Sequence, residues 1–225
     1  AGDLLMTGAV LEEDGQEPMV LHFGIPMTSP HVRIDPVWRT LGMRGTGSHD
    51  VLIEGHVIPE TAVALKRKAG EWHPLFHTIA TLAFPLVYAA YLGVAESACS
   101  IAVELARKRR ADHNVTQLIG RMQTELAGAQ MAHRHMVEAA SGGTTSAETV
   151  NAVMIGKRLV TEHGIRAVEF AMEAAGGAGF YRSQGLERRF RDIQGARYHV
   201  LQAGPQATFA GSLALFRFVP QQFFP

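Results

Sequence analysis

The period of the hydrophobic residues changes near residue 74, and this change constrains the fold more than any other feature of the sequence. Before it, turn residues such as Glu13-Asp14-Gly15 separate short apolar runs, which is typical of β-structure; the runs are 4–6, 19–23 and 51–53. After it, apolar residues recur at spacings of three, four and seven, as on one face of an α-helix. We therefore predict an α+β chain with a β-rich part, residues 1–65, and a helical part, residues 66–225.

Four long helices are predicted in the second part. The first covers residues 75–110 and is bent at Pro85, because proline cannot donate a helical hydrogen bond. The second carries an apolar stripe formed by Leu118, Met122, Leu126, Ala129 and Met136. Ser146 is the predicted N-cap of the third helix, which ends at Gly176-Gly177, and the fourth covers residues 206–216. Short turns between helices are typical of an antiparallel four-helix bundle.

The composition argues against several classes of function. The 21 lysines and arginines balance the 21 aspartates and glutamates, whereas nucleic-acid-binding proteins usually carry a basic face. Cys99 is the single cysteine, so the chain has no internal disulfide and a cytoplasmic location is expected. The longest apolar stretch, residues 79–94, contains Pro85 and Gly93, which favours a buried helix over a membrane span. We therefore expect neither a nucleic-acid partner nor a membrane partner.

A glycine-rich loop at residues 41–48 is one candidate ligand site. Its three glycines let the backbone approach a ligand closely, and Arg44 and Ser48 could bind an anion. A β-turn between two strands is the simpler interpretation of the same residues.

Two further segments predict binding of a phosphate or pyrophosphate group. Arg107-Lys108-Arg109-Arg110 closes the first long helix, and arginine suits phosphate oxygens, although cations also stabilise a helix C-terminus. Gly176, Gly177 and Gly179 follow the third helix more densely than a helix end requires. This glycine cluster predicts that a ligand lies against the backbone there.

The sequence carries no motif for a metal site or for a hydrolase triad. His133 and His135 are two residues apart on a predicted helix, so they point to different faces, and no cysteine pair accompanies them. A Gly-x-Ser-x-Gly elbow is absent as well. Ordinary helix residues are the better interpretation of both histidines.

Taken in order, these segments resemble the acyl-CoA dehydrogenase superfamily. Residues 41–48, and a strand expected to end at Val57-Ile58-Pro59, are similar to the last turn and strand of its middle β-domain. Residues 176–180, Leu186-Glu187-Arg188 and Phe190-Arg191-Asp192 are similar to its Gly-Gly-x-Gly-Tyr … Val-Glu-Arg-x-Tyr-Arg-Asp motif at the same spacing. The resemblance implies the end of a small antiparallel β-domain followed by an antiparallel four-helix bundle. It covers the second half of a typical member, a half that two-component flavin monooxygenases share, so a longer protein is expected.

The resemblance also implies a cofactor and its contacts. FAD is expected, with FMN as the alternative, in a homotetramer whose subunits share the flavin sites. Arg107 matches the arginine that reaches the FAD pyrophosphate of a neighbouring subunit. Gly176 and Gly177 match the loop under the adenine half. The other expected cofactor-binding residues are Gly179, Arg44 and Ser48.

Three positions depart from the superfamily pattern. Glu173 stands where glutamine is common, and Arg110-Ala111 replaces the usual Phe-Gly. An acyl-CoA dehydrogenase needs a carboxylate base to remove the α-proton while hydride leaves the β-carbon for the flavin. In many members this glutamate follows the Arg-Asp pair by eight residues, where this chain has Val200, and no Asp or Glu occurs in 193–214.

Three side chains are candidates for the missing catalytic group. Some members carry the base on the first long helix, where Glu96 and Glu104 are candidates. His199 lies next to the vacant position. In monooxygenases with this fold, such as the dibenzothiophene and hydroxyphenylacetate oxygenase components, a histidine near this point helps the flavin react with oxygen. A histidine packed at the start of a helix is the alternative interpretation.

The sequence favours one function narrowly over two others. An acyl-CoA-dehydrogenase-like enzyme, which oxidises a CH–CH bond of an acyl thioester, comes first, because the glycine and Arg-Asp motifs are retained. A two-component flavin monooxygenase comes second, and a non-catalytic structural or partner subunit third. The expected partners are a small-molecule substrate, acyl-CoA in the first case, and an electron-transfer flavoprotein or a flavin reductase.

Overall fold

The computed structural model describes residues 2–71, 73–143 and 145–216. The chain forms two compact units. The β unit contains the described residues up to Arg39 and from Gly45 to His73, and the helical unit contains Thr40–Arg44 and the described residues from Pro74 onward. The predicted boundary at residue 65 falls inside a strand, so the β unit continues further along the chain than predicted.

The β unit contains two antiparallel sheets. Strands β1, β2 and β5 form a three-stranded sheet in the order β1-β2-β5, and strands β3 and β4 form a pair. Phe23 and Ile25 of β2 are buried. The strands are β1 (Leu4–Leu11), β2 (Met19–Pro26), β3 (Val32–Asp35), β4 (Asp50–Ile53) and β5 (Val63–Lys68).

The predicted strands around 4–6, 19–23 and 51–53 are confirmed as β1, β2 and β4. The expectation that the third continues to Val57-Ile58-Pro59 is wrong, because β4 ends at Ile53. Gly55 adopts a φ of 69°, which turns the chain out of the extended conformation. Strand β5 was not predicted because its second half consists of three consecutive basic residues, Lys66, Arg67 and Lys68, which leave no apolar alternation to recognise.

The helical unit confirms the predicted fold class, with a different division into helices. Three helices are long, and the two that follow are short. Helix α4 was not predicted, because two turns of mostly charged residues show no apolar period, yet its ends, Leu186 and Ile193, are buried. The helices are α1 (Leu75–Ala106), α2 (His113–Ser141), α3 (Ala147–Ala175), α4 (Leu186–Ile193) and α5 (Ala203–Phe216).

Small residues let the long helices pack closely. Ala95, Ala98 and Ala102 of α1 are fully buried, at spacings of three and four that place them on one helix face. Met122 and Met136 of α2 fill the space opposite and are also fully buried. The core of this unit therefore lies where α1, α2 and α3 meet.

Side-chain hydrogen bonds cap the N-termini of α2 and α3, and another links α2 to α1 at Pro85. Asp112 accepts hydrogen bonds from the backbone N–H groups of Asn114 and Val115 at the start of α2. Ser146 accepts one from Thr149 N–H, which confirms the predicted cap of α3. His133 of α2 lies with Nε2 2.9 Å from the carbonyl oxygen of Pro85, so this histidine ties α2 to α1.

Helix α1 and the turn that follows it are long and apolar enough to cross a membrane, by length and composition alone. One-third of its most apolar window (33%) is buried within the structure. This is weak evidence for a span, since a helix packed in the core of a bundle has the same composition.

Residues 40–44 contact helix α4. The backbone N–H of Met43 donates to Asp192 Oδ1 at 2.6 Å, and Arg191 Nη1 donates to the carbonyl oxygen of Leu41 at 2.9 Å. Glu187 holds the Arg191 guanidinium at 2.7 Å from Nε. The Arg-Asp pair of the sequence motif therefore anchors Leu41 and Met43 at the start of the glycine-rich loop.

We expect Gly42→Ala to destabilise the helical unit by about 1–3 kcal/mol, because a Cβ at this position would overlap the backbone of Arg191. Gly45→Ala is the matched control, since no atom lies within 4 Å of its Cβ position. Thermal unfolding of both variants checks this difference. Equal melting temperatures would show that the contact between the loop and α4 does not persist in solution.

Candidate functional site

His199 lies beside the aromatic side chains of α1. Its Nε2 is 2.9 Å from the hydroxyl oxygen of Tyr91, within hydrogen-bond distance. The imidazole ring meets the rings of Tyr88 and Tyr91 edge-on, at centroid distances of 5.9 and 5.4 Å. His199 is half-buried, whereas its neighbours Tyr198 and Val200 are exposed. A ligand can therefore approach the imidazole from outside the core.

Both tyrosines stay protonated at neutral pH. Tyr88 is fully buried, its hydroxyl donates to the carbonyl oxygen of Ala196 at 2.6 Å, and burial raises its pKa far above the usual value. Burial also raises the pKa of Tyr91, and the negative charge of Asp192 adds to this effect. Tyr91 can therefore donate a proton to His199 in a hydrogen bond.

The imidazole of His199 is held in its neutral form. Burial lowers its pKa below the usual value, and the positive charge of Lys157 lowers it further. At neutral pH, His199 therefore presents one nitrogen that accepts and one that donates.

Lys157 is a residue of this site that the sequence analysis missed. Its side chain is only 4% exposed, and Nζ donates to the carbonyl oxygens of Leu201 at 2.9 Å and His199 at 3.4 Å. Burial lowers its pKa to about 8. The signal was present in the sequence, because Lys157 interrupts the apolar face of α3 between Val153 and Val160.

The candidate bases Glu96 and Glu104 lie away from this cluster. They line a groove of about 690 Å³ between α1 and α2, together with Cys99, whose pKa is raised to about 12 by burial. Glu96 Oε1 accepts from Gln130 Nε2 at 2.8 Å, and Glu104 Oε2 accepts from Arg107 at 3.0 Å. The structure brings neither glutamate into contact with His199, and their catalytic roles stay predictions.

The arginines after α1 divide into two environments. Arg107, the predicted pyrophosphate ligand, is exposed and forms a surface ion pair with Glu104. Arg109 instead donates to the carbonyl oxygen of Ala174, and its guanidinium lies 3.6 Å from the Cβ position of Gly176. The structure thus places an arginine beside the predicted glycine cluster, and this arginine is Arg109.

The glycines of this cluster have different roles. Gly176 has a φ of 61°, which ends α3 in a conformation that side chains rarely adopt. Gly179 is buried, and a Cβ there would lie 3.2 Å from Leu186. No atom lies within 4 Å of the Cβ position of Gly177. Gly177 therefore offers open backbone, whereas Gly179 serves packing.

The remaining predicted anion ligands belong to different units. Arg44 Nε donates to the carbonyl oxygen of Thr40 at 2.8 Å within the helical unit. Ser48 belongs to the β unit, where its hydroxyl is 3.3 Å from that of Thr46. Among the described residues, no three His, Cys, Asp or Glu side chains are grouped as a metal site would require.

A family model described as the C-terminal domain of acyl-CoA dehydrogenase matches residues 86–203. This range covers more than half of the chain and includes α1 from Leu86, α2, α3, α4 and the His199 segment.

Two curated relatives are similar to the chain at low identity. Amino sugar nitrososynthase DnmZ of Streptomyces peucetius is 25% identical over 194 residues, which cover 82% of this chain and 48% of the relative. Putative acyl-CoA dehydrogenase YdbM of Bacillus subtilis (strain 168) is 25% identical over 187 residues, which cover 76% of this chain and 46% of the relative. The chain thus spans about half the length of these relatives.

Solved structures share the fold. KijD3 in complex with FMN and a dTDP-linked amino keto sugar aligns with a TM-score of 0.83 and 21% identity, covering 95% of this chain and 56% of KijD3. The 3-HSA hydroxylase of Rhodococcus sp. RHA1 aligns with a TM-score of 0.78 and 20% identity, covering 99% of this chain and 62% of the hydroxylase.

The lowered pKa of His199 predicts a pH dependence of stability. The unfolded imidazole, with a pKa near 6.5, binds a proton more readily than the folded one. The free energy of unfolding should therefore decrease as the pH falls below 6.5 and through the folded-state pKa. His199→Gln should show a smaller decrease, measured by denaturant titration at several pH values.

His135→Gln, at an exposed position of α2, is the control and should keep the wild-type pH slope. Other histidines, including His22 and His77 whose pKa values burial also lowers, are present in all three proteins and cancel in the comparison. Identical slopes for His199→Gln and the wild type would contradict this account of the site.

Proposed function

The chain belongs to the acyl-CoA dehydrogenase family through its C-terminal domain, and on this premise we propose that it is part of a flavin-dependent monooxygenase. The observation that carries the proposal is the hydrogen-bonded pair of His199 and Tyr91. It lies next to the position where many dehydrogenases of this family carry a glutamate. Among the described residues, this imidazole ring forms its hydrogen bond with a phenol and not with a carboxylate.

A neutral imidazole suits oxygenation better than α-proton abstraction. A dehydrogenase base should be ionised near neutral pH and close to the substrate, as a carboxylate is. Oxygenation needs instead a group that donates a hydrogen bond and passes on a proton. With Nε2 of His199 accepting from Tyr91, Nδ1 carries the proton that the imidazole can deliver.

The reaction balances with one small-molecule substrate. One atom of O₂ enters the substrate, and the other leaves as water. The reduced flavin, when bound, supplies the two electrons and two protons that this requires. We propose that Nδ1 of His199 gives a proton to the departing oxygen and regains one from solvent, while Tyr91 keeps its own proton and fixes the tautomer of the imidazole by donating to Nε2.

The proposed substrate is a nucleophilic small molecule, such as an amine or an electron-rich ring. Such groups react with the electrophilic oxygen that this chemistry provides. The similarity to an amino sugar nitrososynthase and to a hydroxylase supports this substrate class. A flavin reductase is the proposed source of reduced flavin, and the homotetramer expected from the sequence remains part of the proposal.

The residues after α1 and α3 fit a flavin phosphate. The guanidinium of Arg109 lies beside Gly176, and Gly177 leaves its backbone open to an approaching group. Arg107 adds a second exposed guanidinium to the same arginine cluster. Arginine can bind phosphate oxygens with two parallel hydrogen bonds. We propose that these residues hold the phosphate groups of FAD or FMN.

A dehydrogenase is the second candidate function, and the groove between α1 and α2 favours it. The groove, about 690 Å³ in volume, contains two carboxylates, Glu96 and Glu104. A volume of that order accommodates a small ligand. If the chain is a dehydrogenase, Glu96 or Glu104 supplies the base and His199 has no direct part in the reaction.

The oxygenase proposal predicts that His199→Gln uncouples the reaction in the full-length protein. Reduced flavin and O₂ should still be consumed, but hydrogen peroxide should be released in place of oxygenated product. A loss of about 10²-fold or more in product is expected, as for removal of a positioned proton donor. Peroxide and product are quantified by peroxidase-coupled assay and mass spectrometry.

His135→Gln serves as the control for the loss of a histidine, because its side chain lies on the exposed surface of α2. Unchanged coupling in His199→Gln would exclude the proposed role of the imidazole. Full coupling in Glu96→Gln is also expected, since this carboxylate has no part in the oxygenase mechanism.

Arg107→Gln should weaken flavin binding by roughly 10- to 100-fold, because a charged hydrogen bond to phosphate is worth about 1.5–3 kcal/mol. Arg166→Gln is the matched control: the two side chains are 68% and 66% exposed, and each pairs with one glutamate. Flavin fluorescence titration gives both dissociation constants. Equal affinity of the two variants would remove Arg107 from the proposed phosphate site.

A further inference from the structure

The ammonium group of Lys157 is enclosed by the segment that carries His199. Nζ donates to the carbonyl oxygens of His199 and Leu201, which flank the exposed residue Val200. On the other side, Nζ lies 5.6 Å from the ring centroid of Tyr88 and 5.7 Å from that of Phe84. Two backbone dipoles and two aromatic faces therefore stabilise the charge.

A buried ammonium without a carboxylate partner is costly, so its presence needs an explanation. Lys157 forms no ion pair with any described residue, and its side chain is nearly inaccessible to water. An apolar side chain of similar length would avoid the desolvation penalty of the charge. Folding stability alone therefore does not account for a lysine at this position of α3.

The segment that Lys157 holds is strained. Leu201 has a φ of 54°, in the left-handed region, which costs a residue with a side chain roughly 1–2 kcal/mol. Such conformations persist only where the surroundings enforce them. The hydrogen bond from Nζ to the Leu201 carbonyl, and the burial of the Leu201 side chain, supply that enforcement.

We propose that Lys157 is a positioning residue of the active site, whose buried ammonium holds the strained turn from His199 to Leu201 and so keeps the imidazole on Tyr91. This inference rests on the proposed function of His199 and deepens it. Lys157 itself touches neither substrate nor flavin in this account, and it acts through His199.

The charges around Lys157 support the electrostatic part of the proposal. The groups that face it are Tyr88 from α1, His199 from the following segment and Arg158 from its own helix. Asp192, whose carboxylate acts on Tyr91, is the acidic group of this site, and none of the three groups that face Lys157 is negative at neutral pH, so His199 is exposed to the positive charge of Lys157. Removing this charge should make the imidazole easier to protonate.

The test compares Lys157→Met and Lys157→Arg in the full-length protein. NMR of protein labelled with ¹³C in the histidine rings follows the titration of His199, whose signal is assigned by its loss in His199→Gln. Lys157→Met should raise the pKa of His199 and cause peroxide release. Lys157→Arg retains the charge and should keep the pKa of His199 closer to the wild-type value.

Met154→Ala controls for simple destabilisation, because Met154 is buried in the same helix. This variant should lose about 2–5 kcal/mol of stability while the pKa of His199 stays unchanged. If Lys157→Met does not fold, Lys157→Gln replaces it. The pKa of His199 in Lys157→Gln is then compared with that in Lys157→Arg, and the same difference is expected.

An unchanged His199 titration in the variants that lack the charge would overturn the proposal. The NMR readout does not depend on any reaction. A shifted titration of His199 would therefore support Lys157 as a positioning residue even if the protein shows no oxygenation. The absence of oxygenation would contradict only the proposed function.

Discussion

Hydrogen bonds from the helical core to the segment 196–201 are the interaction on which the site depends. This segment has no regular helix or strand to satisfy its carbonyl groups from Tyr198 onward, and it carries His199, the candidate catalytic residue. Tyr88 from α1 bonds the carbonyl of Ala196, and Lys157 from α3 bonds those of His199 and Leu201. A buried hydroxyl or ammonium group without an acceptor is costly, so Tyr88 and Lys157 hold these carbonyl groups in place. The packed core of the helices therefore determines the position of His199.

The fold was largely predictable from the sequence, because it rests on periodicity. The apolar stripes of α1, α2 and α3 and the cap at Ser146 are local signals, and the structure bears them out. Helix α4 and strand β5 were not predicted, since both are short and rich in charged residues. Their formation depends on contacts that are distant in sequence, such as Asp192 with Met43.

The site was predictable only in part. His199 was found through the resemblance to a family, as the neighbour of a vacant catalytic position. Its partner Tyr91 lies 108 residues earlier, and no spacing rule connects the two. Lys157 had a local signal, because it is a lysine within an apolar stripe. Its role could not be predicted, since the carbonyl groups that accept its hydrogen bonds come from a segment more than 40 residues further along the chain. The sequence favoured a dehydrogenase narrowly, and the environment of His199 is the reason that we place the oxygenase first.

The most direct measurement is anaerobic mixing of the full-length protein, loaded with oxidised flavin, with acyl-CoA thioesters of several chain lengths in a stopped-flow instrument. A monooxygenase receives its electrons from a reductase, so the account predicts that the visible absorbance of the oxidised flavin persists. Rapid bleaching by any of these thioesters would mean that the chain takes hydride from an acyl-CoA, and it would contradict the assignment of His199 and Tyr91 to oxygenation.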